Sequence, residues 1–409
     1  MHLFLILCVL LLVYSFAIRE REFDFISLYC VCLIFFNIST LFGVVIETYT
    51  RVYVPANDSM FFVTALVFLS AIPFLYLPQK MPLSEAKRRC ELEDNISIFL
   101  ILFGFLVVLI FTLPALLSAS NKREVLENGG VIYALIGALP VVGAYLSYER
   151  KKWFMMLIFV LMIIGIFLLG SRRPAALLFI GVIILVIGGR RIRLLSYWKV
   201  ILFSFLGIVF LILGKSLYSF ILKYGIGGFI LWYQNFSFEF FIRGSEFLST
   251  PGILAAVIDS NLDVSGTHML KSLLAIQPLP LSYFGFSSSA FNELFQGTLF
   301  PDLDYGMAYN PWAEAYAWLG YLGVLIYGTV IPFVLRKLWY AYKFSSGLIK
   351  VTFLIAGVLL LFWVHRNSLA SELAYIRNAI YPLLVILFLT RSINFVLPKK
   401  KLLVINKKD

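Results

Sequence analysis

Apolar residues run along this chain in long unbroken blocks, separated by short polar stretches that carry most of its charge. A block of about 16–25 such residues is what a helix needs to cross a hydrocarbon core. Continuous apolarity without period-two alternation favours helices over barrel strands. Cut at charges and at Pro or Gly clusters, the sequence predicts about eleven spans. They are Leu3 to Ile18, Phe25 to Ile46, Ser59 to Leu77, Ile96 to Leu117, Gly130 to Tyr148, Trp153 to Gly170, Pro174 to Gly189, Trp198 to Gly214, Trp312 to Leu335, Gly347 to His365 and Ala374 to Thr390. The expected fold is an all-α polytopic transmembrane bundle, one integral membrane domain over residues 1–409, with a single long loop over residues 215–311.

That loop mixes aromatics, Gly, Pro and scattered charges, so it reads as folded and is expected to contain short helices. Phe229 to Phe247, with Glu239 and Arg243 at i,i+4 spacing, suits a helix lying in the membrane interface. Ala275 to Tyr283 carries Pro278 and Pro280 and is predicted extended. Gly297 to Pro311, with Asp302 and Asp304, is turn-rich. Asn310-Pro311-Trp312 then opens the next span, since Pro is tolerated at a helix start.

Composition agrees with a bilayer as solvent: 61% of the residues are hydrophobic, against roughly 45–50% in soluble domains. The first span lacks a basic leader and no small-residue cleavage site precedes Arg19 and Arg21, so it is expected to be retained, with Met1 outside. When the 34 Lys and Arg are assigned to alternating sides of the spans, roughly two thirds fall on one side, the side that holds the C-terminus. Basic residues are retained in the cytoplasm. The long loop is then extracytoplasmic, and the net charge of +12 is a topology signal that does not point to nucleic acid. Cys30 and Cys32 lie about 200° apart around a helix and cannot share a metal, and the cysteines read as packing residues. Three scattered histidines give no metal site, and no cofactor is expected. The odd span count and the lack of an internal repeat disfavour a transporter.

Charged groups at membrane depth are candidates for function. Gly170-Ser171-Arg172-Arg173-Pro174 sets two guanidinium groups in a tight turn before a helix, where free amides and the helix dipole reinforce an anion site. The same pair also fits arginines snorkelling to lipid headgroups. A second cluster, His365-Arg366-Asn367 with Arg377-Asn378, brackets Ser371-Glu372. If the stretch is helical, Arg366 and Arg377 share a face about 16 Å long and can address one diphosphate; alternatively Glu372 pairs with either arginine to hold the loop. Glu314 falls in the first turn of the ninth span, as a general base or as ordinary N-terminal electrostatics. Trp312, Tyr316 and Trp318 can stack on sugars or belong to the interfacial belt. His268 is a candidate base or a polar surface residue. Arg243 with Glu246 either binds substrate or braces the loop.

The Gly170 to Arg173 turn, the Glu314-Ala315-Tyr316-x-x-x-Gly320-x-x-Gly323 opening of the ninth span, and Asn292-Glu293-Leu294 with Gly297 follow one another around a large late loop. In this pattern and order the chain resembles the bacterial O-antigen polymerase (Wzy) family of oligosaccharide repeat-unit polymerases. The resemblance implies a GT-C-like membrane glycosyltransferase in the bacterial inner membrane. Such an enzyme transfers a growing glycan from undecaprenyl diphosphate to a single lipid-linked repeat unit without a metal, alongside a flippase and a chain-length regulator. It implies that Arg172, Arg173, Arg366 and Arg377 meet the diphosphates and that Glu314 or His268 is the base. An O-antigen ligase and a lipid-linked oligosaccharide flippase are the alternatives; the nearly charge-free middles of spans one to nine tell against the flippase.

Overall fold

A computed structural model describes residues 1–47, 52–77, 91–118, 137–168, 171–199, 201–202, 206–207, 224–235, 246–278, 291–303 and 309–396. Helix dominates them. In chain order the elements are α1 (His2–Val13), which runs on into a π-turn at Tyr14–Ile18, β1 (Arg21–Glu22), α2 (Phe25–Phe36), α3 (Ile38–Leu41), β2 (Val44–Ile46), β3 (Tyr53–Pro55), α4 (Asp58–Tyr76) and α5 (Glu91–Ser118). Then come α6 (residues 137–149), α7 (Trp153–Leu168), α8 (Arg173–Ile187) and β4 (Arg191–Ile192). The long loop contributes α9 (Gly228–Asn235), α10 (Glu246–Ser260), α11 (Gly266–Leu274) and α12 (Phe291–Leu299). Last are α13 (Pro311–Phe344), α14 (Gly347–Val358) with a π-turn at Leu359–Trp363, and α15 (Leu369–Val396). The strands form two small antiparallel pairs, β1 with β4 and β2 with β3.

Among the described residues four helices are long and apolar enough to cross a membrane: Asp58–Tyr76, Leu92–Thr112, Pro311–Phe344 and Leu369–Phe395. Shorter apolar helices stand at His2–Ile18, Phe25–Phe36, Trp153–Phe167, Arg173–Ile187, Thr250–Ser260 and Gly347–Trp363. The way they bury their surface is that of a lipid-facing bundle. On α1, Leu5, Cys8 and Leu12 are buried at helical spacing, whereas Leu3, Leu7, Leu10 and Leu11 are exposed and equally apolar. On α7, Phe154, Leu157, Leu161 and Ile164 form another exposed apolar stripe. Contiguous apolar surface of this extent is untenable in water and suits contact with acyl chains.

The second expected span is shorter than its apolar run. Asp24 caps α2 in a capping box with Ser27. The helix then stops at Phe36, because Asn37 turns its side-chain amide back to the Leu33 carbonyl at 2.8 Å. After the one-turn α3, Val44 to Ile46, expected to be helical, instead form a strand of the β2–β3 hairpin, entered through Gly43, whose φ of 76° a side chain would oppose. The eighth expected span, Trp198 to Gly214, and the first half of the fifth fall largely outside the described residues.

Helix α13 is also not one rod. Leu319 (φ −142°, ψ 26°) and Gly320 (φ 58°, ψ −139°) break it into an arm over residues 311–318 and a long arm over residues 321–344. In a straight helix Ala315 and Gly323 would stand about 12 Å apart along the axis. Here a Cβ on Gly323 would collide with the Ala315 carbonyl oxygen, so the short arm folds back onto the long one. The Gly-x-x-Gly spacing thus has a mechanical reading: Gly320 supplies the reversal and Gly323 the close approach. Nothing would crowd a Cβ on Gly320, so Gly320→Ala should cost only the backbone strain, about 1–3 kcal/mol. Gly323→Val should cost more through the clash. Thermal unfolding in detergent checks the ranking, and equal melting of both variants and the parent would refute the fold-back.

Polar contacts at the helix ends sort into two sets. In the first, Glu22 accepts from Lys343 Nζ at 2.7 Å and Trp339 Nε1 at 3.2 Å. There too Asp94 pairs with Arg150, Glu149 with Lys350, and Glu93 with Asn394. In the second, Asn57 donates to Asp259, Asn310 to the Thr250 carbonyl, and Arg377 to the Ala275 carbonyl.

Candidate functional site

The second set contains the chemistry, and it gathers at the start of α15. Four side chains or bonds mark its first turns. The Leu369 amide donates to Glu314 Oε2 at 2.8 Å. Three residues on, Glu372 is buried, accepts from Asn367 Nδ2 at 3.0 Å, and feels the charge of Arg173. The Tyr375 ring carries the Arg173 guanidinium 3.5 Å above its centre. Arg377, 9% exposed, donates through Nη1 to the Ala275 carbonyl at 3.3 Å and through Nε to Asn378 at 3.0 Å. From Leu369 to Arg377 is roughly 12 Å of axial rise. Three distant parts of the sequence meet along that length: the α7–α8 turn, the long loop and the short arm of α13.

Glu314 owes its place to the fold-back. Asn310 caps the short arm by accepting from the Trp312 and Ala313 amides, and Pro311 follows as a helix-initiating residue. One turn in, Glu314 is fully buried. Its Oε2 also accepts from the Tyr309 hydroxyl at 2.5 Å. The carboxylate therefore serves as acceptor for the first amide of α15, the helix end where negative charge is favoured.

His268 reaches the same spot from the loop. The Val264 amide donates to the Ala317 carbonyl at 2.9 Å, tying the loop to the end of the short arm. Ser265 then caps α11 by accepting from the His268 amide. His268 thus begins a helix beside Glu314, with its Nε2 3.8 Å from Oε1. Its ring stands edge-on to buried Phe291, which with Phe295 lines the Tyr309 ring. At 6% exposure His268 is a buried residue, although a lone loop histidine reads as a surface one. The sequence held no sign of this, because its partner lies 46 residues away and the fold-back had to be known first.

Arg172 is the N-cap of α8 and Arg173 its first residue, one position earlier than the expected start at Pro174; Ser171 closes the turn by donating to the Ile166 carbonyl. Gly170, Arg243 and Glu239 lie outside the described residues. Arg366 and Arg377 do not share a helix face, contrary to expectation. Arg366 belongs to a turn that ends the preceding π-turn, and α15 begins only at Leu369, after Ser368 accepts from the Ser371 amide. Glu372 hydrogen-bonds Asn367, not either of the arginines expected to brace it. His365 is buried in the core, stacked between Tyr29 and Phe36 at 5.1 Å and 5.3 Å.

The aromatic residues divide. Trp312 is 2% exposed and packs towards His365, so its ring belongs to the core and offers no face to a sugar. The expectation of sugar stacking fails there because the fold-back turns the start of α13 inwards. Tyr316 is half-buried, edge-on to Tyr321. Of the loop expectations, Asp302 does sit in a turn, but residues 275–278 are turns and bends where an extended run was expected, and Gly297 lies in α12.

No known protein family, no curated protein and no solved structure matches this chain.

Proposed function

We propose that the chain is a glycosyltransferase that joins lipid-diphosphate-linked oligosaccharide repeat units on the outer face of a bacterial inner membrane, as the O-antigen polymerases do. In this reading the chain has a GT-C-like architecture, with Met1 and the long loop outside and the C-terminus in the cytoplasm. One observation carries it. Arg173 and Arg377, from distant parts of the sequence, are held within the first turns of α15, whose first amide donates to Glu314 of a buried His268–Glu314 pair. A diphosphate leaving group needs cations at membrane depth, and an attacking hydroxyl needs a base. Arg172, at the N-cap of α8, and Arg366, in the turn before α15, are the further cations of this reading, with Tyr316 at its edge. Undecaprenyl-diphosphate-linked glycans are the substrates, and a flippase and a chain-length regulator are the expected partners.

Deleting the gene and resolving surface polysaccharide on a gel tests this. The expected result is glycan of a single repeat attached to the outer lipid. Complete loss of attached glycan would favour the ligase or flippase, and an unchanged ladder would sink all three.

A further inference from the structure

The two oxygens of Glu314 have different fates. Oε2 accepts from Tyr309 and from Leu369. Oε1 has no hydrogen-bond partner although the residue is fully buried, and the same holds for Nε2 of His268. A buried polar atom without a partner is rare and costly in a folded protein. Two such atoms facing each other at 3.8 Å, from a loop helix and a membrane helix, are too far apart for a hydrogen bond and too close to be unrelated. Catalytic hydrogen bonds are often long in an unliganded site and tighten when substrate binds.

We propose that His268 and Glu314 form one proton-handling pair, in which His268 is the base and Glu314 its positioning residue. This rests on the glycosyl-transfer reading above and settles which of the two candidate bases acts. Glu314 is unsuited to take the proton directly: one oxygen is committed to two donors and the other is sealed behind the imidazole. With Nε2–H directed to the carboxylate, the tautomer is fixed and Nδ1 carries the lone pair that meets the substrate. The logic is that of a carboxylate orienting a catalytic histidine, with the roles of the ring nitrogens exchanged. As the acceptor sugar oxygen bonds to the anomeric carbon of the donor, Nδ1 takes its proton. The anomeric carbon–oxygen bond breaks, and the diphosphate departs with that electron pair towards Arg173 and Arg377. The imidazolium left behind is neutralised by Glu314 and returns its proton to water.

Other titratable groups around the pair are Tyr309 and Tyr327 on the Glu314 side, Arg377 at the end of α11, and Lys271 on α11 itself. The buried carboxylate on α15, Glu372, is held by Asn367 and feels the charge of Arg173, so Glu314, 3.8 Å from Nε2, is the group whose removal should be felt at His268.

The chain contains three histidines, His2, His268 and His365, which makes the imidazoles separable by NMR. The full chain in detergent micelles, with nitrogen-15 in its histidine rings, would be read for the tautomer of each ring, and His268 assigned from a His268→Gln variant. Glutamine at position 314 retains an oxygen for Tyr309 and Leu369 but no charge. In the parent the Nε2–H tautomer of His268 should dominate, and in Glu314→Gln, which has no carboxylate to accept from it, that preference should be lost. An unchanged tautomer overturns the pair, whatever the activity. In membrane vesicles supplied with lipid-linked repeat units, His268→Gln should slow extension at least about 100-fold. Extension in Glu314→Gln should fall together with the loss of that tautomer, at an unchanged level of protein in the membrane. Normal extension by His268→Gln, in a host whose deletion strain does lose its ladder, would overturn the base assignment and leave the polymerase reading standing. An intact ladder in the deletion strain would instead overturn that reading.

Discussion

Arg173→Ala should stop chain extension while the protein accumulates in the membrane at its normal level. The two halves of that expectation come from different magnitudes. What Arg173 gives the fold is a stacked contact with Tyr375 and an electrostatic contact with Glu372. A cation over an aromatic ring is worth about 0.5–2 kcal/mol, too little to unfold a bundle of this size. What it gives a departing diphosphate is a preorganised charge at membrane depth, and loss of one such group costs on the order of 10²–10³ in rate. Arg377→Ala should behave alike, since its Nη1 otherwise holds the loop only through one carbonyl. Arg173→Lys should recover little, because an ammonium lacks both the planar stack on Tyr375 and the paired donors that grip phosphate. Complementing the deletion strain and reading the polysaccharide ladder beside a membrane immunoblot decides this. Full ladders from both alanine variants would remove the arginines from the chemistry.

The sequence disclosed the helices better than it disclosed their ends. Long apolar runs mark α1, α4, α5, α7, α8 and α14 to within a few residues, because length and apolarity are what the bilayer selects. The end of α2 was hidden, since Phe36, Ile38 and Leu41 continue the apolar run across Asn37 and only the side-chain bond to Leu33 shows the break. The kink in α13 was hidden differently. Gly320 and Gly323 were visible as a spaced motif, but nothing local shows that the first of them takes positive φ. Once the reversal is known, the buried Trp312, the loop tie at Ala317 and the meeting of His268 with Glu314 follow from it. The arginine turns were legible because charge beside deep apolar runs is conspicuous. Their convergence on α15 was not, because it depends on tertiary contacts between α8 and α15.

Glu314→Ala should be the most destabilising single change at this site, and it separates holding from chemistry. The carboxylate is acceptor for two buried donors, the Tyr309 hydroxyl and the Leu369 amide. Alanine leaves both without a partner, and each orphaned buried donor costs about 1–3 kcal/mol. The pair joins the start of α13 to the start of α15, so together the loss is about 2–6 kcal/mol at the point where the short arm, the loop and α15 meet. Tyr309→Phe removes one donor and keeps Glu314 on Leu369, and should cost about 1–2 kcal/mol. Glu314→Gln retains an acceptor for both and should melt close to the parent. Thermal unfolding of the purified chain in detergent should therefore rank the variants Gln at 314, then Phe at 309, then Ala at 314. If alanine and glutamine at 314 melt together, Glu314 does not hold the junction. If glutamine melts with the parent yet fails to extend glycan, the charge of Glu314 acts on something other than the fold, and His268 is the group it faces.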